Sequence, residues 1–214
     1  AGDDGINYRF ATITSAVNCR KGPTTDYELL GTFAGGATVI VCGDGVSGAE
    51  LDGTWYYVKG LDKDGNAVTG YCGGDYVRLG SPVLESAAVT VSEQYAEGIA
   101  AGTTPASLAS MLPGLDITVT NANGDVLDSN KPIGTGCTVT AAYKNMSLLA
   151  KTVIIRGDVD GDGKVSASDY LRVRRYILGT MELDGLFENA ADVDGDGKVN
   201  AADYIRIRRA ILGM

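Results

Sequence analysis

Short runs of alternating hydrophobic and polar residues, separated by glycine-rich turns, dominate the first third of the chain. These runs are rich in β-branched and aromatic residues and lie at 37–42, 54–59, 68–72 and 75–79. Residues 7–80 also hold nine of the 15 aromatic side chains of the protein. Several short strands without a helical period predict a small all-β barrel over residues 1–82.

The middle of the chain, residues 83–156, mixes strand and helix periods and predicts an α+β module. Residues 104–112 are expected to form a helix, with Thr104 as its N-cap and Pro105 in its first turn. Asn123-Gly124 predicts a hairpin, and strands are expected at 88–92, 117–120, 125–127, 137–143 and 149–155. Because the last strand runs into Asp158 without a linker, we expect this module to pack against the following segment.

An internal repeat occupies the C-terminal segment, residues 157–214. Residues 158–179 recur at 192–213, and 17 of the 22 aligned positions are identical. Two copies are fewer than a helical solenoid needs, so the repeat indicates a paired motif with pseudo-two-fold symmetry. A helix is predicted in each copy, at 170–178 and 204–212. The apolar stripe of these helices is interpreted as core and consists of Tyr170, Val173, Ile177, Tyr204, Ile207, Ala210 and Ile211.

Each copy begins with an acidic loop of the pattern Asp-x-Asp-x-Asp-Gly, which a further Asp closes. This is the spacing of an EF-hand calcium loop, in which side chains and one backbone carbonyl supply hard oxygens. Solvent-exposed Asp-Gly turns are the alternative, but their eight carboxylates would then repel one another without compensation. Two bound Ca²⁺ would change the formal charge from −9 to −5. The expected ligands are Asp158, Asp160, Asp162, the Lys164 carbonyl, Ser166 and Asp169, and in the second copy Asp192, Asp194, Asp196, the Lys198 carbonyl, Asn200 and Asp203.

The duplicated loop and helix, the closing Asp and the Ile-Leu-Gly that ends each copy resemble the dockerin family. The resemblance implies an all-α dockerin stabilised by two Ca²⁺, with a cohesin domain of a scaffoldin or surface protein as its partner. Six of the ten arginines lie on the outer faces of these helices. They are candidates for partner recognition, and a solvated helix surface is the alternative role for them. The recognition positions that the resemblance implies are Ala167, Ser168, Arg174 and Arg175, and Ala201, Ala202, Arg208 and Arg209.

A second set of motifs lies in residues 16–80, at Val17-Asn18-Cys19-Arg20-Lys21-Gly22-Pro23, Trp55-Tyr56-Tyr57-Val58 and Gly70-Tyr71-Cys72. These motifs resemble the bacterial SH3 (SH3b) family. The resemblance implies a module that binds cell-wall peptides or protein segments. A ligand groove would be lined by aromatic residues, and core packing is the alternative role for the same side chains, Tyr27, Trp55, Tyr57 and Tyr76.

Composition narrows the classes of function. The sequence contains no histidine, which excludes Ser-His-Asp hydrolysis, Cys-His peptidase chemistry and the usual zinc sites. The sequence has 27 acidic and 18 basic residues, and its net negative charge argues against nucleic-acid binding. No run of 18 apolar residues occurs, so no membrane span is predicted. Residue 1 does not begin a signal peptide, and we expect any such signal to have been removed or to lie outside this sequence.

The four cysteines, at positions 19, 42, 72 and 137, are irregularly spaced and include no Cys-x-x-Cys pair. Their most direct interpretation is as small buried hydrophobic residues, and Cys19 and Cys72 stand where the SH3b family usually has Val. One disulfide among the first three is the alternative, and the sequence leaves it open.

Together these patterns predict a non-catalytic multidomain protein with an SH3b-like barrel at 1–82, an α+β module at 83–156 and a dockerin at 157–214. The expected role is that of a secreted, cellulosome-type protein that binds a cohesin with calcium and is thereby extracellular or attached to a cell surface. Two alternatives are the C-terminal tail of a larger cell-wall hydrolase and a calcium-dependent adhesion protein.

Overall fold

A computed structural model describes residues 8–47, 53–82, 89–92 and 94–214. These residues form two compact units. The first contains the described residues up to Pro82 together with Gly114–Asp116 and Ala142–Leu148, and the second contains the remainder. The division into three domains made from the sequence stays a prediction.

The first unit is built on a seven-stranded antiparallel sheet, which confirms the all-β prediction for the N-terminal region. The strand order is β3-β2-β6-β5-β4-β1-β7, and a 3₁₀ turn at Gly74–Tyr76 precedes the last strand. The strands are β1 (Tyr8–Ile13), β2 (Val17–Arg20), β3 (Leu29–Phe33), β4 (Thr38–Ser47), β5 (Thr54–Leu61), β6 (Ala67–Gly73) and β7 (Val77–Pro82). Their inward side chains form one apolar core that includes Ile13, Cys19, Phe33, Val41, Val58 and Cys72.

A five-stranded sheet of order β10-β11-β12-β9-β8 and one helix form the middle of the chain. The helix α1 (Pro105–Met111) begins as predicted, because the Thr104 side chain accepts a hydrogen bond from the Ser107 amide. The strands are β8 (Thr90–Val91), β9 (Tyr95–Glu97), β10 (Asp116–Thr120), β11 (Thr138–Tyr143) and β12 (Met146–Val153). Ala88, the first residue of the strand predicted at 88–92, lies outside the described residues.

The strand predicted at 125–127 does not form. Only one isolated bridge joins Thr120 to Val126, and Val126 is exposed. The Asn121 side chain accepts hydrogen bonds from the amides of Asn123 and Asp125 and closes a compact turn. The turn is therefore fixed locally, and no second strand continues from it.

Three helices form the C-terminal part of the second unit: α2 (Ala167–Ile177), α3 (Gly185–Ala191) and α4 (Ala201–Leu212). Their core consists of Val159, Val173, Ala191 and Ile207, and the rings of Tyr170 and Tyr204 stack beside it. The sequence did not predict α3, whose N-cap is Asp184. Within the part of the chain that the structure describes, no helix has the length and apolar character needed to cross a bilayer.

The apolar stripe predicted as core is buried only in part. Val173 and Ile207 are buried and the two tyrosines are half-buried, whereas Ile177, Ala210 and Ile211 are exposed. The last turn of each repeat helix lies beyond the three-helix core, so its apolar side chains face solvent. This corrects the interpretation of the whole stripe as core.

Candidate functional site

The first acidic loop lies between Gly157 and the start of α2. Carboxylate oxygens of Asp158, Asp160 and Asp162 lie within 4.8 Å of one another. Asp158 is fully buried, Asp160 is partly buried and Asp162 is exposed. Three carboxylates this close together repel one another, and hard oxygen atoms at this spacing suit a divalent cation, so this loop has the character of a metal site.

The Asp at position 12 closes the first loop through backbone hydrogen bonds. Asp169 lies in the first turn of α2, and its Oδ1 accepts from the amides of Val159 at 2.8 Å and Asp160 at 3.2 Å. Its Oδ2 accepts from the Ser166 amide at 2.8 Å. This arrangement is a capping box that joins the start of the loop to the start of the helix.

The second loop repeats the closing hydrogen bonds of the first loop, 34 residues later. Carboxylate oxygens of Asp192, Asp194 and Asp203 lie within 4.8 Å of one another. Asp203 closes the loop by accepting from the amides of Val193 at 2.9 Å, Asp194 at 3.2 Å and Asn200 at 2.9 Å. Asp203 is fully buried and is again part of a capping box, here at α4.

The carboxylates at loop position 3 show most directly whether the loops fit a cation. Oδ1 of Asp160 and Oδ1 of Asp194 are buried and have no hydrogen-bond partner among the described residues. The other oxygen of each carboxylate lies near an arginine, with Arg172 Nε 3.7 Å from Asp160 and Arg206 Nε 3.3 Å from Asp194. An unsatisfied buried carboxylate oxygen in each acidic cluster fits a hard divalent cation.

Burial also raises the pKa of Asp158 above its ordinary value, and the nearby charge of Asp169 raises it further. Hydrogen bonds from the amides of Thr135, Gly163 and Gly161 act in the opposite direction and favour the ionised form. The Asp158 carboxylate is thus held by three backbone amides at the start of the first loop.

Several predicted ligands also fix the loop backbone. The side chains of Ser166 and Asn200 are the N-caps of α2 and α4. Asp162 and Asp196 each accept from the amide two residues later, those of Lys164 and Lys198, at 2.9 Å. The first cluster of carboxylates includes Asp162 but not Asp169, whereas the second includes Asp203 but not Asp196.

All eight implied recognition residues are exposed, namely Ala167, Ser168, Arg174, Arg175, Ala201, Ala202, Arg208 and Arg209. The structure brings together members of different copies. Arg174, Ile177 and Leu178 near the end of α2 line one recess of about 260 Å³ with Ala201 and Tyr204 at the start of α4. Sequence reasoning grouped the recognition residues within each copy and therefore missed this joint surface.

The first unit has a groove of about 510 Å³. Two of the four predicted groove residues, Trp55 and Tyr76, line it together with Arg20, Asn18 and Asp75. The other two lie outside its lining. The ring of Tyr27 covers Gly22, and Tyr57 packs edge-on against Tyr71 with ring centroids 5.0 Å apart.

Comparisons with known proteins agree with the description of the acidic repeat and with that of the N-terminal sheet. Residues 156–212 match the family model of the dockerin type I domain, and residues 15–78 match that of the bacterial SH3 domain. No curated protein and no solved structure matched the chain. Dockerin domains generally bind calcium and cohesins, and both matched domains are non-catalytic and typical of extracellular or cell-surface proteins.

Proposed function

We propose that this chain is a secreted, non-catalytic component of a cellulosome-type assembly, and that its C-terminal domain binds a cohesin when two Ca²⁺ are bound. The observation that carries the proposal is the pair of acidic clusters, each with a buried and unsatisfied Asp oxygen. The proposed ligands are the twelve loop positions predicted from the sequence. With bound calcium, the carboxylates would be compensated and the two repeat helices held in place.

The proposed cohesin surface combines charge with exposed apolar area. Arg174, Arg175, Arg208 and Arg209 are exposed, and no ion pair closer than 4.0 Å joins any of them to an acidic side chain in the described part of the chain. The exposed apolar residues beside them include Leu171, Ile177, Leu178, Ile205, Ile211 and Leu212. Arginine beside apolar side chains suits a protein partner with acidic and apolar patches.

A panel of cohesin domains tests this proposal directly. Each cohesin is titrated by calorimetry into the full chain, once in millimolar calcium and once after treatment with a chelator. Binding of at least one cohesin in calcium and its loss after chelation are expected. Calcium uptake without binding to any cohesin would favour the adhesion alternative, and an upstream hydrolase domain in the complete gene would favour the hydrolase-tail alternative.

The groove of the first unit supports a second interaction, with a peptide. Trp55 and Tyr76 offer flat apolar surfaces, and Arg20 and Asp75 offer one charge of each sign. Cell-wall peptides carry free carboxylate and amino groups together with short apolar side chains, which suits this lining. We therefore propose such a peptide as the ligand class of the barrel.

Replacement of Trp55 by alanine is expected to weaken the binding of muropeptides to the full chain at least tenfold, because truncating an aromatic anchor costs about 2 kcal/mol or more. Tyr27→Ala serves as the control, since Tyr27 is exposed outside the groove lining. The binding constants are measured by calorimetry with soluble cell-wall fragments. An equal loss in both variants would contradict the assignment of the groove.

A further inference from the structure

The two acidic loops differ in what covers them. A segment that we name the strap, residues 132–135, lies over the first loop. The Thr135 amide donates to Oδ2 of Asp158 at 2.8 Å, although the two residues are 23 positions apart. The Gly102 amide donates to the Gly163 carbonyl at 2.8 Å. The first loop is thus bound to the α+β part of the same unit as well as to its own helix.

Packing between the strap and the first loop leaves no space for additional atoms. A Cβ atom at Gly134 would lie 2.0 Å from the carbonyl oxygen of Gly161. A Cβ atom at Gly163 would lie 2.6 Å from the carbonyl oxygen of Ile133. Backbone therefore contacts backbone along the strap, and the first loop cannot open without breaking these contacts.

Among the residues that the structure describes, no backbone segment packs against the glycines of the second loop, although the Arg156 guanidinium donates to the Asp192 carbonyl at 2.6 Å. Gly195 and Gly197 occupy the same loop positions as Gly161 and Gly163, yet a Cβ atom at either would meet nothing within 4 Å. The amides that donate to Asp192 come from Gly195, Asp196 and Gly197, all inside its own loop. The first loop also has a hydroxyl donor, from Ser168 to Asp160, where the second copy has Ala202.

We infer that the strap makes the two calcium sites unequal, so that the first site binds more tightly and releases calcium more slowly than the second. This inference rests on the proposed calcium binding. The physical reason is preorganisation, because groups that orient a ligand typically change metal affinity by about 10–100-fold. The strap donates a hydrogen bond to the Asp158 carboxylate from outside the loop, whereas every amide that donates to the Asp192 carboxylate belongs to the second loop itself.

Gly134→Ala in the full chain tests the role of the strap, and Gly185→Ala is its matched control. Both change glycine to alanine at a backbone conformation open to other residues, but a Cβ atom at Gly185 meets nothing within 4 Å. Each change is made in two backgrounds. Asp203→Ala is expected to leave only the first site, and Asp169→Ala only the second. Calcium affinity is measured by calorimetry, and the release rate by rapid mixing with a fluorescent chelator.

In the Asp203→Ala background, Gly134→Ala is expected to weaken affinity at least tenfold and to accelerate release. In the Asp169→Ala background it should change neither. Equal effects in both backgrounds, or none in either, would overturn the inference. Absence of calcium uptake by the unaltered protein would instead overturn the proposed function. If Gly134→Ala does not fold, Thr135→Ala replaces it and removes the Oγ1 bonds to Ile155 that anchor the strap. A selective loss at the first site is again expected.

A second inference concerns two cysteines in the core of the first unit. Strands β2 and β6 are antiparallel neighbours, and their register pairs Arg20 with Tyr71. Cys19 and Cys72 are the next residues along the two strands, and both belong to the apolar core of the first unit. Both side chains are completely buried free thiols, and the interaction with the Cys19 thiol, together with burial, raises the pKa of Cys72. Directly opposed residues on antiparallel strands have Cα atoms about 4.5–5.5 Å apart, which is within the range that disulfides require.

We infer that Cys19 and Cys72 form a disulfide when the chain folds in an oxidising environment. Each thiol loses one proton and one electron, the S–S bond forms, and a disulfide oxidant takes up the two electrons and two protons as two thiols. Because both thiols are fully buried in the folded barrel, the exchange takes place during folding. Cys42 lies on β4, which is separated from β6 by β5, so the register does not place it opposite either residue.

Oxidative refolding tests this pairing. The reduced and denatured full chain is refolded with reduced and oxidised glutathione, alkylated and digested with trypsin. Cleavage after Arg20, Lys59 and Lys63 places the three barrel cysteines on separate peptides. A linked pair of peptides containing Cys19 and Cys72 is expected. Cys42→Val should preserve that link and Cys72→Val should remove it. Alkylation of both Cys19 and Cys72, or a link to Cys42, would overturn the inference.

Discussion

Removal of calcium is expected to unfold the three C-terminal helices and to leave the sheet of the first unit intact. Asp158, Asp169 and Asp203 are fully buried in or beside the two loops, and Asp192 is nearly so. A buried charge without a partner costs several kcal/mol, so these carboxylates oppose folding when no cation is present. Calcium at 1,000 times its dissociation constant would add about 4 kcal/mol to the free energy of unfolding for each site.

The measurement is thermal unfolding of the full chain by circular dichroism with calcium and with a chelator, combined with calorimetric titration. Two equivalents of calcium should bind, and Asp169→Ala and Asp203→Ala should each remove one. Asp62→Ala is the control. Asp62 caps a similar Asp-Gly turn in the first unit, where it accepts from the amides of Asp64 and Asn66. Unfolding that is unchanged by the chelator would refute this prediction.

Local signals explain why parts of the fold could be predicted from the sequence. Thr104 and Pro105 define the start of α1, because a cap and a fixed φ act within one turn. The acidic loops follow the same logic, since Gly163 and Gly197 have positive φ at the positions where the pattern requires a sharp turn. In both cases the residues that determine the structure are neighbours in the chain.

Features that depend on distant contacts escaped prediction. β1 lies between β4 and β7 and is defined by partners some 30 and 70 residues away. α3 is only seven residues long and its burial rests on Ala190 and Ala191, which give no apolar period. The contact of Thr135 with Asp158 joins a loop of the α+β module to the first acidic loop, and no local motif encodes it.

The surface of the repeat helices combines features that neighbouring residues determine with features that depend on distant contacts. Repeated sequence predicts repeated recognition residues, and all of them are exposed. Which copy supplies which part of a surface depends on helix packing, which places Arg174 beside Ala201 and Tyr204 of the other copy. The repeat therefore encodes the parts of the surface, and the tertiary fold determines how they combine.

The largest expected effect on partner binding comes from removing both arginine pairs at once. Arg174-Arg175 and Arg208-Arg209 occupy equivalent places 34 residues apart in the two copies. We expect the pseudo-two-fold symmetry to present the same patch to a cohesin in two orientations that differ by a rotation of about 180°. Replacing all four by alanine should then weaken binding to an acidic cohesin surface by several kcal/mol.

Removing only one arginine pair should change the cohesin affinity little if two binding orientations exist. The double variant Arg174→Ala/Arg175→Ala retains the orientation that uses the other pair, and Arg208→Ala/Arg209→Ala does the reverse. Each would lose only a statistical factor of about two, or about 0.4 kcal/mol. Cohesin affinity is measured by calorimetry in calcium, with Arg78→Ala on β7 as the control for a lost exposed arginine. A large loss from either double variant alone would show that the cohesin uses one fixed face.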